Sequence, residues 1–203
     1  LQQEKVPHKF NPEEFISLTK NLEGHLFPNT YAFAPNVTTQ EVIDKLTGEF
    51  DQVIKDLNIA PNELNQVLVL ASLIEREAGA DSERPEIAAI LNKRIKNNWA
   101  LQADAAIQFA VANQRCRIRI CDWWPRPLTK ADLQIKSPYN TYQNTGLPPF
   151  PISNPGKASL SAAVKPKETK NWFYLHGLDG LVHYAETVEQ HNQNVCTYLK
   201  KDC

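Results

Sequence analysis

The length, composition and charge of this sequence exclude several classes of protein. The chain has 203 residues, of which 42% are apolar, and this is enough to bury a substantial core in one large domain or two small ones. The 22 basic residues nearly balance the 23 acidic ones, so we do not expect a nucleic-acid-binding surface. No apolar run approaches the roughly 20 residues that span a bilayer.

The start of the chain and its cysteines carry little functional information. The sequence contains no Met and begins without a signal-peptide pattern, so we expect a fragment of a longer protein. The spacing of Cys116, Cys121, Cys196 and Cys203 matches no zinc-finger pattern, and no metal site is expected. Pairing of Cys116 with Cys121 or of Cys196 with Cys203 remains open, as do free thiols.

Two helices are predicted in the first 60 residues. Asn11 and Pro12 can open a short one. Thr38 and Glu41 form a capping box ahead of apolar residues that recur at helical spacing. An aromatic loop, EGHLFPNTYAF, lies between them.

Three further helices are predicted between residues 61 and 112. Pro61 suits the first turn of an apolar helix that runs through residue 74, with Gly79 placed for a left-handed cap. Asp81 or Ser82 can cap the next helix, with Pro85 in its first turn. The apolar stripe of that helix is Ile87, Ile90, Leu91 and Ile95. Another helix is expected to begin near Asp104.

Two irregular segments interrupt the second half of the chain. Residues 113–128 contain two prolines that oppose regular structure, so we predict a loop or a small β excursion. Trp123 and Trp124 in this segment can stack on a sugar or can plug the edge of the core. Residues 137–156 hold five prolines and two glycines, and a loop of that length within a compact domain is usually functional.

The carboxyl-terminal elements are predicted to be a helix, a β-hairpin and a last helix. Asn154 and Pro155 can start a helix containing Leu160 and Val164. WFYLHG and LVHYAE flank a turn at 178–180, which is typical of a hairpin. The last helix has a Thr187 and Gln190 capping box. The residues of that helix expected to face inward are Val188, Val195 and Leu199.

Two carboxylates, Glu75 and Glu77, end the apolar helix in LASLIEREAG. Their separation of two positions directs them to different sides of the helix. Glu77 follows apolar residues at spacings of three, four and seven, so it is expected to be desolvated. Burial raises the pKa of a carboxyl, as a general acid requires. The competing interpretation is an ion pair of Glu77 with Arg76, Arg84 or Lys93, which helix periodicity by itself favours.

Six blocks of the sequence make a specific pattern when taken together. Over nearly its whole length the chain resembles the catalytic region of membrane-anchored endolytic murein transglycosylases, the YceG-like family. Residues 111–128 depart from that family's usual short connection. The matching blocks are EGHLFPNTYAF at 23–33, LASLIEREAG at 70–79, SERPEIAAILNKRI at 82–95, LQADAAIQFA at 101–110, SPYNTYQNTGLPPFPISNPGKASLSAA at 137–163, and HYAETVEQHN at 183–192.

The resemblance implies roles for individual residues. Glu77 matches the family's acid/base glutamate. The residues implied to line the glycan cleft are Gln102, Asp104, Tyr139, Asn140, Thr141 and Tyr142. Supporting roles fall to Glu75, Glu83, His183 and Asn192, with His183 expected to hold the cleft loop. Taken alone, Asp104 also suits a helix N-cap, Asn140 a turn and Tyr142 the core.

The resemblance also implies a fold and a reaction. The fold is α+β, a mainly helical catalytic body with a small antiparallel sheet, in which residues 1–60 form a cleft wall and residues 61–203 the catalytic region. The reaction is cleavage of the β-1,4 bond between N-acetylmuramic acid and N-acetylglucosamine, leaving a 1,6-anhydro end in cell-wall assembly and glycan-chain termination. No cofactor is required. The alternatives are a muramidase, which needs a second carboxylate such as Asp104 or Glu83, and a non-catalytic glycan-binding module.

The partners and location follow from the same resemblance. The partners are peptidoglycan glycan strands and cell-wall synthases, without nucleic acid. The expected location is the extracytoplasmic face of the bacterial cytoplasmic membrane. The single-pass anchor and LysM-like part of the family are expected only in the full-length protein.

Overall fold

A computed structural model describes residues 9–116 and 122–200. In these ranges the chain forms seven α-helices and one two-stranded antiparallel sheet, so the predicted α+β class is confirmed. The helices are α1 (Pro12–Thr19), α2 (Thr39–Asp56), α3 (Leu64–Glu77), α4 (Arg84–Lys96), α5 (Asp104–Arg115), α6 (Lys157–Val164) and α7 (Val188–Val195). The strands are β1 (Phe173–His176) and β2 (Val182–Ala185). None of the helices in the described ranges is long and apolar enough to cross a bilayer.

Helix α3 is the centre of the core. Every residue from 68 to 74 is buried, so this helix is enclosed on all sides. Helices α4, α5 and α6 pack around it. Phe27 and Phe50 belong to the same apolar cluster as Leu73 and Ile87, so the region before residue 61 packs directly on the helical body.

The first two helices begin where the sequence predicts. The Asn11 side chain accepts hydrogen bonds from the backbone N–H groups of Glu13 and Glu14, and the Thr38–Glu41 capping box is present. Helix α4 has Pro85 in its first turn, also as predicted.

Three predicted helix ends are wrong. Helix α3 starts at Leu64, after a turn that includes Pro61, and it ends with Ala78 in an extended conformation, so Gly79 is not a left-handed cap. The N-cap position of α4 is Glu83, because Asp81 instead pairs with Arg84 at 2.8 Å. Helix α6 begins at Lys157, since the Asn154 side chain accepts from the distant backbone N–H of Leu26.

The 137–156 segment is irregular, as predicted, and it is fastened to the helical body. Ser72 on α3 accepts a hydrogen bond from the Ile152 N–H at 3.1 Å, and the Ser153 hydroxyl donates to the Ser72 carbonyl at 3.1 Å. Gly24 lies against Pro151, where an added Cβ would come within 2.7 Å of the ring. These contacts make the segment a fixed wall rather than a loose loop.

The predicted hairpin is confirmed, with Phe173 opposite Ala185 and Leu175 opposite His183. Gly180 adopts a positive φ of 79° in its turn, a conformation that favours glycine. Helix α7 packs against both strands.

Helix α7 departs in part from its prediction. The Thr187 hydroxyl accepts from the Gln190 N–H, but the Gln190 side chain bonds the Glu186 N–H instead of closing the box. Val188 and Leu199 are exposed rather than inward-facing. His191 stacks on Phe173 instead, because aromatic residues of the hairpin set the packing face.

The cysteines and residues 113–128 lie partly outside the described ranges. Cys116 and Cys196 are disulfide-bonded, so free thiols are excluded for these two. Cys121 and Cys203 lie outside the described residues. Residues 113–115 complete α5, which corrects the loop predicted there, and residues 122–128 are irregular.

Candidate active site

The two carboxylates at the carboxyl end of α3 point to different sides of the helix, as their spacing predicts. Glu75 faces α4 and the start of α6, where Arg84 and Gly156 bind it. Glu77 faces the hairpin, where the Tyr174 hydroxyl donates to its Oε2 at 3.0 Å.

Glu75 is saturated with donors. Arg84 holds both of its oxygens at 3.3 Å, and the Ser159 hydroxyl and the Gly156 N–H donate to Oε2 at 2.7 and 3.0 Å. A carboxylate held by four hydrogen bonds is fixed in position. Glu75 therefore joins α3 to α4 and α6.

Glu77 has the opposite environment. Burial raises the pKa of its carboxyl and the negative charge of Asp104 adds to that rise, while hydrogen bonds from Tyr174 and the Ala105 N–H and the charge of His176 oppose it. The predicted rise in pKa is therefore present, and burial is its largest cause.

The competing ion-pair interpretation of Glu77 is not supported. Arg84 binds Glu75, Arg76 lies over the Trp124 ring at 3.6 Å, and Lys93 donates to the carbonyls of residues 169–171. Glu77 makes no salt bridge with any of these three cations in the described part of the chain.

Glu77 opens into a cleft of about 500 Å³. The wall contains Gln102 and Asp104 from the start of α5, Tyr142 from the 137–156 segment, and residues of the hairpin and α7. Every lining residue lies after residue 76, so residues 1–60 do not form this wall. Three of the six residues implied to bind glycan thus share one cleft with Glu77.

Asp104 and Tyr142 form a bonded pair in this wall. The Tyr142 hydroxyl donates to Asp104 Oδ1 at 2.5 Å. Burial raises the pKa of Tyr142, and the charge of Asp104 strengthens that effect. Asp104 is the first residue of α5 rather than its N-cap, which is Ala103. Neighbouring Gln102 has a positive φ of 51°, a strained conformation often found near functional sites.

The other three residues implied to line the cleft lie elsewhere. Asn140 is fully buried, donates to the carbonyls of Leu133 and Ile135, and accepts from two backbone N–H groups of its own turn. The buried Thr141 hydroxyl bonds the backbone of Ala103. Tyr139 packs on Phe109 at 5.0 Å and faces a different cavity. Asn140 and Thr141 thus hold the loop that carries Tyr142.

The remaining supporting residues do not enter the cleft. Glu83 Oε2 lies 3.0 Å from His176 Nε2 and accepts from the Gly79 N–H. His183 Nε2 lies 2.9 Å from Asp179 in the hairpin turn, so it holds that turn rather than the 137–156 loop. Asn192 is exposed on α7.

Seven lining residues were not predicted as site residues, and four of them are polar: Arg94, Tyr174, His176 and His191. Arg94 is buried and donates to the carbonyls of Trp172 and Leu101. The sequence pattern could have identified Arg94 as buried, because it follows Ile87 and Leu91 on the apolar stripe of α4. No local pattern could have placed Tyr174 beside Glu77, which is 97 positions away.

A second concave region lies on the Trp124 side of α3. A cavity of about 740 Å³ is lined by residues including Tyr139, Trp123 and Phe150, and an adjoining one of about 340 Å³ contains Arg76 and Trp124. Trp124 packs against the core, as expected for a plug, whereas Trp123 is 40% exposed.

The fold and the site define a mainly helical α+β protein with one desolvated glutamate at the mouth of a cleft. The model of the YceG-like family matches residues 1–197, and the chain belongs to this family.

Similar proteins agree with that membership. The chain is 36% identical to an endolytic murein transglycosylase of Bacillus subtilis, over 88% of this chain and 48% of that protein. It is 30% identical to one of Streptococcus pneumoniae, over 88% of this chain and 32% of that protein. A crystal structure of a putative yceG-like protein from Listeria monocytogenes superposes with a TM-score of 0.72 at 29% identity, over 91% of this chain and 64% of that one. The chain thus spans about half or less of the length of these curated relatives.

Proposed function

We propose that this chain is the catalytic portion of an endolytic murein transglycosylase, with Glu77 as the acid/base residue. The observation that carries the proposal is the environment of Glu77, a carboxyl of raised pKa that opens into a cleft and forms no salt bridge among the described residues. The names of the relatives from Bacillus subtilis and Streptococcus pneumoniae support murein as the substrate.

The proposed reaction needs one carboxyl group. Protonated Glu77 donates its proton to the oxygen that leaves as the β-1,4 bond between N-acetylmuramic acid and N-acetylglucosamine breaks. The resulting carboxylate then takes the proton from the muramyl C6 hydroxyl as that oxygen bonds to C1. The product is a 1,6-anhydro-muramyl end, and no water is consumed. The internal hydroxyl has an effective-concentration advantage over water because it is tethered near C1.

Neighbouring groups fit the two protonation states of Glu77. Burial keeps the carboxyl protonated at the start. The Tyr174 hydroxyl and the Ala105 N–H donate to it and so stabilise the carboxylate formed after the first transfer. Gln102 and the Asp104–Tyr142 pair supply polar groups on the cleft wall for sugar hydroxyl and acetamido groups.

A water-using muramidase is the second candidate, because Asp104 is a carboxylate in the same cleft. Two carboxyl groups flanking the bond are the usual requirement for hydrolysis. Asp104 accepts the Tyr142 hydroxyl and sits beside Glu77, whereas Glu83 does not line the cleft and is engaged by His176. A non-catalytic glycan-binding module is the third candidate. Among the aromatic residues it would use, Tyr142 lies in the Glu77 cleft, and Trp123 and Tyr139 line the larger cavity.

Product analysis tests the proposal. Isolated glycan strands incubated with the protein are expected to yield internal fragments ending in 1,6-anhydro-muramic acid, one water lighter by mass spectrometry than hydrolytic products. Fragments with reducing muramic acid ends would establish the muramidase instead. Binding of strands without cleavage by the full-length protein would establish the non-catalytic module.

The wider role is part of the same proposal. Cleavage of nascent strands would terminate glycan chains during cell-wall assembly, at the extracytoplasmic face of the cytoplasmic membrane and beside cell-wall synthases. A single-pass anchor in the full-length protein would hold the catalytic portion there. Residues of the 9–60 range pack on the catalytic core and line the second cavity, so we assign the region before residue 61 to the same catalytic domain.

A further inference from the structure

Arg76 differs from the other enclosed arginines because its guanidinium forms no ion pair among the described residues and its buried Nε lacks a hydrogen-bond partner. The other half-buried or buried arginines behave differently. Arg84 binds Glu75, and Arg94 binds two carbonyls. A desolvated guanidinium with free donors is costly unless a ligand satisfies it.

The surroundings orient Arg76 for an anion. The guanidinium stacks 3.6 Å above the centre of the Trp124 ring, which covers one face and leaves its edge free for bidentate bonds. Burial and the charge of exposed Arg126 lower the pKa of Arg76, while the charges of Glu75 and Glu77 raise it. Arg126 therefore adds a second positive charge near the guanidinium. This arrangement complements a carboxylate.

The cavity that contains Arg76 offers room and apolar contact beside this charge. Its volume is about 340 Å³, and Trp123 and Phe109 are shared with the larger cavity of about 740 Å³. Glu23 also lines both and accepts a hydrogen bond from the Asn154 amide at 3.3 Å. Burial raises the pKa of its carboxyl, which favours the uncharged form and so weakens its repulsion of an anionic ligand.

Arg76 directly precedes Glu77, so their side chains project about 100° apart from the same turn of α3. A ligand bound at Glu77 and extended around the end of this helix would therefore reach Arg76. In murein, each muramyl unit carries a short peptide with free carboxylates, which is a substituent of the required chemistry. Trp123 and Trp124 belong to the segment in which this sequence departs from the family pattern.

We propose that Arg76, Trp123 and Trp124 form a second binding site for the carboxylate-bearing stem peptide of murein. This inference rests on the proposed function for the choice of ligand. It adds a preference for strands that keep their peptides, and it assigns that preference to residues outside the Glu77 cleft.

The test is calorimetric binding of a muramyl tetrapeptide and of the same compound with its carboxylates amidated. The probe is a monosaccharide without a glycosidic bond, so the binding result stands whether or not the protein cleaves strands. Wild-type protein is expected to bind the acid form at least about 10-fold more tightly, the size typical of a charge-assisted bond pair. Arg76→Gln is expected to bind both forms equally.

A matched variant separates a specific site from general charge. Lys20 lines the larger cavity but not the adjoining one that contains Arg76 and Trp124, and Lys20→Gln is expected to keep the preference for the acid form. If Arg76→Gln does not fold, as judged by its melting temperature, Arg76→Lys takes its place and is expected to lose most of the preference, because lysine lacks the planar fork. Equal binding of both forms by wild type, retention of the preference without Arg76, or equal loss in Lys20→Gln would overturn the proposal.

Discussion

Glu75 and Glu77 stand two residues apart on one helix and have opposite environments. Glu75 accepts four hydrogen bonds from Arg84, Ser159 and Gly156, which fix its position. Glu77 accepts from a tyrosine hydroxyl and a backbone amide, and burial raises the pKa of its carboxyl. The donors around each carboxylate thus separate a structural role for Glu75 from a chemical role for Glu77.

The largest expected effect comes from replacing each of the two glutamates in turn with glutamine. Glu77→Gln removes the only proton that the cleft can donate in the proposed reaction, so strand cleavage should fall by about 10²–10⁴-fold or more while the fold is kept. Glu75→Gln should keep most of the specific activity and lose stability instead, by about 1–3 kcal/mol, because buried donors are left unpaired. Rates of strand cleavage and urea unfolding of both variants measure this. The reverse pattern would assign the acid to Glu75.

A second contrast lies within the 137–156 segment, between Asn140 and Tyr142. Asn140 is fully buried with four hydrogen bonds, so Asn140→Ala should lower the free energy of unfolding by about 2–4 kcal/mol. Tyr142→Ala, on the cleft wall, should reduce turnover with a much smaller loss of stability. Thermal melts together with activity per folded molecule separate the two. A stable Asn140→Ala protein with impaired turnover would instead make Asn140 a substrate ligand.

A smaller effect is expected from the hydroxyl that bonds Glu77. Tyr174→Phe removes a donor that stabilises the carboxylate form, so the pKa of Glu77 should rise further. The falling limb of the pH–rate profile should then move to higher pH, and turnover at its optimum should fall by about 10-fold because a carboxyl of higher pKa is a weaker acid in the first proton transfer. An unchanged profile would show that Tyr174 acts only in packing.

How much could be predicted from the sequence depends on how local each feature is. The helices and the hairpin follow from apolar periodicity and turn residues, and the positions of Glu75 and Glu77 follow from helix geometry. The caps at Gly79, Asp81 and Asn154 were wrong, because each residue takes another contact instead. Gly79 and Asp81 bond residues three or four positions away, and Asn154 bonds the distant Leu26 N–H. A cap signal is worth about 1 kcal/mol, and one ion pair or buried hydrogen bond can outweigh it.

The site was predicted less completely than the helices. The YNTY motif groups four residues, yet only Tyr142 reaches the Glu77 cleft, because a turn directs successive side chains to different sides. Tyr174 and His176 meet Glu77 and Glu83 through the docking of the hairpin, which no local pattern encodes. Arg94 was accessible to sequence reasoning, since a charged residue on a buried stripe marks a special environment.

The most direct test is the titration of the Glu77 carboxyl itself, by NMR of protein with ¹³C-labelled glutamate side chains. The signal absent from the Glu77→Gln spectrum identifies the residue. The midpoint of this titration, which is the pKa of Glu77, is expected above the ordinary value of 4.5, because burial and the charge of Asp104 favour the protonated form. A midpoint at or below 4.5 in the folded protein would mean that Glu77 is ionised near neutral pH, and it would contradict its role as the general acid.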